Sequence, residues 1–431
     1  MNLVTSPKTK LTLKVIAVGV ISLLMLIPLA MISDLIRDRQ NLYRETAVEV
    51  GDLWGKEQTI SGPVLTFRKS IAVTNQPSSH FEWDQLLPER LNVDGSVSSK
   101  KLHRNIYDVM VYNAKINITG FFKIPKEVYS DEFIAFSLGI TDLRGIEKLP
   151  VLQLGEYNLE PESGLSGEAK TQGLTVIIPK QIFSSFPVDE ATSSRTIPFS
   201  ITIALKGSEG LYFTPVGKST EVKLSSDYPD PSFAGNFLPS ERKVDQNGFQ
   251  AQWNISHLTR NYGQHQTTPD WFDIIEPSKF GVDLIIPVSD YQKAERAAKY
   301  GILIILLTFV VIFFTDQRNS NSINLFNYLL SALALVLFYA LLVSLSEYLL
   351  FSIAYIISAV MTISLLCIFI QRLLKNREAT LYIGGLLTAM YIFIFVLLQM
   401  KNYALLAGTI GLFVILSCVM HISSKQLPKQ Q

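Results

Sequence analysis

The stretch LTLKVIAVGVISLLMLIPLAMI, residues 11–32, decides the architecture. It is apolar over the roughly 20 residues that a helix needs to cross the hydrocarbon of a bilayer. Its only strongly charged member is Lys14, near the edge, where a long stem can carry the ammonium to the headgroups. Beyond it, residues 34–299 are polar and strand-like, and from about Tyr300 nearly to the C-terminus the chain is apolar again. A chain written this way hangs a large water-soluble domain on one side of a membrane and roots it there at both ends. It is an integral membrane protein.

The composition agrees. Mean hydropathy is +0.26 and only 17% of the 431 residues are charged, against roughly a quarter in soluble proteins. A net charge of +1 lacks the basic face or tail of a nucleic-acid binder, which excludes nucleic acid as a partner. The two cysteines, Cys367 and Cys418, both lie in apolar segments. The polar domain therefore holds no disulfide and rests on its own core, which about 260 residues can supply.

Five more apolar runs come after the domain: 300–315, which is short and begins in the preceding amphipathic stretch, then 325–346, 349–370, 381–400 and 405–423. With the first, they predict about six transmembrane helices. Lys8, Lys10 and Lys14 flank the first run, and Arg318 lies between the second and third. Arg372, Lys375 and Arg377 lie between the fourth and fifth, and Lys425 and Lys429 come after the sixth. All fall on one side, whereas the opposite short joints offer only Glu347 and Lys401. By the positive-inside rule both termini are cytoplasmic. Arg37, Arg39, Arg296 and Lys299 border the domain on its outer side, but Asp34, Asp38 and Glu295 are interleaved with them, and long translocated domains largely escape the rule. The first helix has a longer apolar core than a signal peptide and ends in Pro-Leu-Ala-Met-Ile-Ser without a small-residue cleavage pair, so it reads as an uncleaved anchor.

Within 34–299 several segments alternate with period two, the pattern of strands with one buried face. Phe199, Ile201, Ile203 and Leu205 alternate with Ser200, Thr202 and Ala204; Phe249, Ala251, Trp253 and Ile255 alternate with Gln250, Gln252 and Asn254. Phe280, Val282, Leu284 and Ile286 repeat the pattern, and residues 64–67, 115–120, 136–141 and 174–178 do so more weakly. Turn chemistry falls between them, including Ser61-Gly62-Pro63, Val93-Asp94-Gly95, residues 207–210 and Asn247-Gly248. Only residues 34–50 and 290–299 read as helices, continuing the membrane helices outward as stalks. The expected fold is an α-helical bundle of about six transmembrane helices with a large inserted antiparallel β domain, sandwich-like or split into two lobes. The expected division is 1–33 for the cytoplasmic start and first helix, 34–299 for the β domain, 300–423 for the remaining five helices and 424–431 for a cytoplasmic tail.

Catalytic chemistry is sparse. There is no GxxxxGK[ST] and no GxGxxG after a strand. Glu162-Ser163-Gly164-Leu165-Ser166-Gly167 lacks the G-x-S-x-G spacing of a nucleophile elbow and reads as a loop. His257 and His265, with Asp270 and Asp273 nearby, are the one metal candidate, but His-x7-His is no ligand spacing and a polar loop is the plainer reading. His80 and His103 have no evident partner, and His421 sits at the end of the last run. No catalytic, cofactor-binding or metal residue is assigned. Glu347 reads as a turn residue in water, with a gating or coupling carboxylate as the alternative. Pro28 and Gly384-Gly385 read as kink and packing features, and Ser344, Ser346, Thr362, Ser364 and Thr388 bond either across the bundle or to their own helices. The sequons at Asn117 and Asn254 are chance matches.

A family resemblance adds to this. It is carried by Leu87-Pro88-Glu89 with Val93-Asp94-Gly95, by Asp142-Leu143-Arg144-Gly145-Ile146, and most strongly by Pro231-Ser232-Phe233-Ala234-Gly235-Asn236-Phe237-Leu238-Pro239. Arg242, Gly248-Phe249-Gln250-Ala251-Gln252-Trp253, Tyr291-Gln292, the run from Arg296 to Leu303, and Leu345-Ser346-Glu347 extend it over nearly the whole chain. On these residues the sequence resembles the CreD family of bacterial inner-membrane proteins, although the tail beyond Lys425 is shorter than in that family. The resemblance implies a periplasmic β domain, a role in cell-envelope integrity, and association with a two-component regulatory system, colicin tolerance and β-lactam response. It implies no catalytic residues.

The first functional expectation is a non-enzymatic envelope protein whose periplasmic β domain contacts a lipid, glycan or protein partner through an edge strand or an apolar groove. A transporter or channel-like bundle is the alternative, and a tethered hydrolase is disfavoured by the missing signatures. Arg144 and residues 233–239 are the first candidates for mutation. Each also has a purely structural reading, as a partner for Asp142 and as a turn pinned onto the core.

Overall fold

The structure, a computed structural model, describes residues 7–71, 80–104, 107–126, 133–165, 172–267, 271–284, 289–318 and 323–400, and beyond these residues 406, 408–411, 413 and 417. The chain divides into two compact units, Met1–Tyr43 with Val288–Gln431, and Arg44–Pro287. It opens with two helices, α1 (Pro7–Leu24) and α2 (Leu26–Trp54). The break at Met25 lies just upstream of Pro28, whose ring has no N–H and crowds the carbonyl of Leu24.

The second unit is built from strands. In chain order they begin β1 (Gln58–Ile71), β2 (His80–Leu86), β3 (Arg90–Arg104), β4 (Tyr107–Pro125), β5 (Phe133–Ile140), β6 (Leu152–Leu154), β7 (Tyr157–Leu159), β8 (Glu162–Ser163) and β9 (Gly173–Ile177). They continue β10 (Val188–Asp189), β11 (Ser194–Ser208), β12 (Gly210–Phe213), β13 (Ser219–Ser226), β14 (Ser232–Gly235), β15 (Glu241–Asp245), β16 (Gly248–Ser256), β17 (His265–Gln266) and β18 (Phe280–Asp283). Two short helices interrupt them, α3 (Lys180–Ser185) and α4 (Trp271–Ile275). Each alternating run of the sequence falls on a strand, although Thr141, Ile178 and Leu284 lie just beyond the strand ends and Ile285 and Ile286 lie outside the described residues.

Two nine-stranded sheets result. The first runs β14–β18–β12–β1–β5–β9–β8, with β2 on β1 and β17 on β2; the second runs β15–β16–β13–β3–β4–β11–β6–β7, with β10 on β11. One hydrophobic cluster takes the inner faces of both, from Phe67, Phe136 and Leu138 to Ile116, Ile201, Val222 and Trp253, so the unit is a sandwich. Most ladders are antiparallel, but β1 lies parallel to β12 (Gln58↔Leu211) and β13 parallel to β3 (Ser219↔Arg90). The domain is therefore mixed rather than antiparallel throughout. Parallel neighbours are joined by long crossovers, and turn signals report only local reversals. The Asn247-Gly248 reversal does join β15 to β16, with Asp245 paired to Gly248. Gly248 has φ +133°, and a Cβ there would sit 1.9 Å from the Ser226 carbonyl oxygen.

The first unit is helical. After α1 and the start of α2 come α5 (Ser289–Lys299), α6 (Gly301–Arg318), α7 (Leu325–Ser346), α8 (Phe351–Leu374) and α9 (Arg377–Gln399). Five helices among the described residues are long and apolar enough to cross a membrane; the expected run at 405–423 lies largely outside the described residues. The α5 segment, read from sequence as an outward stalk, buries Ala294, Ala297 and Ala298 in the core of the helical unit. Gly384 lets α9 close onto α8, since a Cβ would meet the Cys367 sulfur at 2.8 Å. Ser346 and Thr388 bond their own helix, to the carbonyls of Val343 and Gly384.

Two charged residues differ from their sequence reading. Lys14 does not reach for headgroups: its ammonium pairs with the carboxylate of Asp316, whose side chain is only 3% exposed. Asp316 also accepts from the Ile323 backbone N–H at 2.8 Å. The expected second run stops at Thr315, one residue short of it. Glu347, read as a turn residue in water, is 10% exposed at its side chain and pairs with Arg39 at 3.2 Å. At either site a carboxylate removed from water is held by a cation from the first helical segments.

Candidate functional site

The residues singled out in the sequence settle mainly into structural roles. Arg144 clasps Asp142 through two 2.9 Å hydrogen bonds from Nε and Nη2. Asp142 also accepts from the backbone N–H groups of Arg144 and Lys56. Gln58 ties the same knot together, donating to the carbonyls of Asp142 and Lys206 and accepting from the Asp142 N–H. Burial works to raise the Asp142 carboxyl, and the hydrogen bonds from Arg144 and the backbone outweigh it, holding it below the usual carboxylate range. Sequence reasoning missed Gln58, which has no charge or motif to announce it.

The Phe233–Pro239 run is pinned to the core. Phe233 packs edge-on against Phe249 and Trp253 with ring centroids 5.6 and 5.8 Å apart, and the Arg242 guanidinium lies over its ring. Phe237 meets Phe280, and the Trp253 indole donates to the Phe237 carbonyl at 3.1 Å. The histidines do not converge. His265 Nε2 lies 2.9 Å from Asp84, His257 Nδ1 lies 3.3 Å from the Lys218 carbonyl oxygen, and His103 pairs with Asp108. Asp270, Ser166, Gly167, His421 and Cys418 lie outside the described residues. Among the described residues no group of three or more His, Cys, Asp or Glu side chains could hold a metal ion.

The feature that sequence reasoning did not single out is the outer face of the second sheet. Because side chains alternate between faces, every apolar residue given to the core leaves a polar one outside. The ladders bring these outward residues into straight rows. One row runs Glu241, Gln252, Lys223, Asp94, Asn117, Thr202, and its neighbour runs Lys243, Gln250, Ser225, Ser96, Lys115, Ala204. Two adjoining grooves lie over this face, of about 630 and 930 Å³, sharing Ser96 and Lys115.

The rows differ in how far they satisfy themselves. Around the first, Thr202 donates to Asn117, Gln252 donates to Glu221, and Lys223 pairs with Glu221. In the second, the side chains of Lys243, Gln250, Ser96 and Lys115 have no intramolecular hydrogen bond or ion pair among the described residues. Asn117 and Asn254, whose sequons read as chance matches, both stand on this face. The signal for the face was present in the polar phase of each alternating run. What no single strand discloses is which strands are neighbours.

A bundle of membrane helices interrupted by one large β sandwich defines a multi-pass membrane protein with an inserted extramembranous domain. The family model described as Inner membrane protein CreD matches residues 10–426, and the chain belongs to that family. It is 28% identical over 419 residues to the inner membrane protein CreD of Escherichia coli K12, covering 93% of this chain and 90% of that protein. The resemblance read from the sequence holds, and the chain is a multi-pass inner-membrane protein.

Proposed function

We propose that this protein contributes to envelope integrity and to tolerance of envelope stress, colicins and β-lactams, without catalysis, by presenting its β domain in the periplasm to an envelope component. Orientation rests on charge: Arg372, Lys375 and Arg377 cluster at the joint of α8 and α9, while the joint of α7 and α8 carries Glu347. The single observation that carries the binding role is the outer face of the second sheet, a polar surface on which the side chains of Lys243, Gln250, Ser96 and Lys115 have no internal partner among the described residues, while Ser225 between them donates to the Gly95 carbonyl. Functional surfaces commonly sit on rigid scaffolds of this kind.

The test is complementation of a deletion strain under detergent and cell-wall antibiotics. A full chain carrying Ser96→Trp, which fills the groove from an exposed position, should insert normally and fail to restore resistance. Full restoration by that variant removes the face from the mechanism.

A second reading, a transporter or channel-like bundle, is favoured by the buried Lys14–Asp316 pair, since ionisable groups among membrane helices are commonly tied to transport. Under that reading Asp316→Asn, stably inserted, abolishes complementation while Ser96→Trp does not.

A further inference from the structure

The chain enters the β unit's first sheet through β1 and leaves it through β18, and the sheet sets those two strands on either side of β12. Because β1 runs parallel to β12 and β18 antiparallel to it, the start of β1, the start of β12 and the end of β18 lie at one end of the sheet. At about 4.8 Å per strand, entry and exit are roughly 10 Å apart. The turn of Ser208, Glu209 and Gly210 stands between them and bonds to both. The Ser208 N–H donates to the Lys56 carbonyl at 3.3 Å, and the Glu209 carbonyl accepts from the Leu284 N–H at 2.6 Å.

This crossbar is set among like charges. Glu57 precedes β1, Glu209 precedes β12 and Asp283 ends β18, so each of three neighbouring strand ends brings a carboxylate. Glu57 takes the Lys279 ammonium at 3.1 Å, and Asp283 accepts from the Tyr212 hydroxyl. Lys279 also lies over the Tyr212 ring, and the Tyr112 hydroxyl donates to the Gly210 carbonyl. Lys56 and Lys206, the other cations adjoining the turn, are engaged by Asp52 and Glu147. The Glu209 carboxylate is half-buried and has no hydrogen bond or ion pair among the described residues. Burial raises its carboxyl above the ordinary glutamate range, and the Glu57 and Asp283 carboxylates raise it further. The hold of the neutral form is therefore fully present below the ordinary value and is lost as pH rises through the raised one.

We propose that the Ser208–Glu209–Gly210 turn is a pH-operated crossbar: with Glu209 neutral it ties the entry and exit strands together, and with Glu209 ionised it lets the shared end of β1, β12 and β18 open. Opening of this kind is local and leaves the rest of the sandwich folded. Each residue released from β18 adds about 3.4 Å of reach to the connection that follows it. The device thus sets how much free chain tethers the β unit as the surrounding pH changes, independently of what the outer face of the second sheet binds.

The test is hydrogen–deuterium exchange of the full chain in lipid nanodiscs from pH 4 to pH 8, with exchange times scaled for the intrinsic pH dependence of amide exchange. Peptides covering residues 206–213 and 280–284 report on the crossbar, and peptides from β3 and β4 are the control. Protection at the crossbar should fall about fivefold or more between pH 4 and pH 8 while β3 and β4 hold. Glu209→Gln, which keeps the shape and removes the charge, should retain the pH 4 protection at pH 8. Glu57→Gln, which removes one repelling carboxylate and can still accept from Lys279, should reduce the fall. Protection that does not change with pH, a fall that either variant leaves intact, or a loss shared equally by β3 and β4 overturns the inference.

Discussion

Lys14 in α1 and Asp316 at the end of α6 are 302 residues apart in the chain and form one ion pair. The pair ties the helix that precedes the β domain to the helix that comes after it. The Lys14 ammonium also lies 5.8 Å from the centre of the Tyr328 ring, which adds a cation–π contact. Removing either partner leaves the other charge buried and unmatched, which costs about 3 kcal/mol. Lys14→Ala and Asp316→Ala should each lower thermal stability in detergent, and the double variant should be milder than the sum of the two. Exchange of the charges, Lys14→Asp with Asp316→Lys, should recover part of the loss. Additive single and double effects would show that the pair does not hold the helices together.

Asp142 makes stability depend on acid. Its carboxyl lies below the usual range in the folded protein, while the unfolded value is about 3.9. The contribution is therefore fully present above that unfolded value and is lost as pH falls through the lower folded one. Asp142→Ala strands the N–H groups of Lys56 and Arg144 and should cost about 2 kcal/mol at neutral pH. Unfolding measured from pH 7 downwards should show the wild-type advantage over Asp142→Asn shrinking only in strong acid.

Glu209 works in the opposite direction. It stands between β11 and β12 with φ +63°, a left-handed conformation that suits glycine. Burial raises its carboxyl, and the Glu57 and Asp283 carboxylates raise it further. A raised folded value means its contribution is present at low pH and lost as pH rises through that value. Glu209→Gln should raise the melting temperature at pH 7 and leave it nearly unchanged at pH 4. Glu209→Gly should add about 1 kcal/mol by relieving the backbone.

The aromatic pin gives a packing test. Phe233 is only partly buried, so Phe233→Ala should cost about 2 kcal/mol, below the range for a full core phenylalanine. Because its ring abuts Trp253, tryptophan fluorescence should shift to the red in the folded variant. An unchanged spectrum would mean the Phe233–Pro239 run is not held against the indole.

The period-two runs made the strands legible, since Ile201, Ile203 and Leu205 enter the core as their alternation requires. The loop at residues 207–210 was legible only in part. Gly207 sits at the end of β11, and a Cβ there would meet the Tyr112 hydroxyl at 2.3 Å, while Glu209 takes the left-handed position. Strand order was not legible, because ladders such as Gln58↔Leu211 join residues with no local relation. The outer face was hidden for the same reason: Lys115, Ser96 and Gln250 become a row only once β4, β3, β13 and β16 are neighbours. Asp316 escaped because an apolar window ends where a charge begins, and burial of that charge depends on Lys14.

The position of β1 has a consequence for how the protein is made. On one side β1 meets β12 in parallel, and β12 is closed in turn by β18, the last strand of the domain. The first sheet stays open until the chain has been synthesised through Asp283. Long-range pairings of this kind form slowly, since loop closure precedes any gain from contact. During that interval the open edge, first of β1 and then of β12, is an unpaired template for wrong partners. Stalled synthesis or a truncation between β12 and β18 would leave that edge permanently bare, and the product would be met by proteases and chaperones before it could serve the envelope.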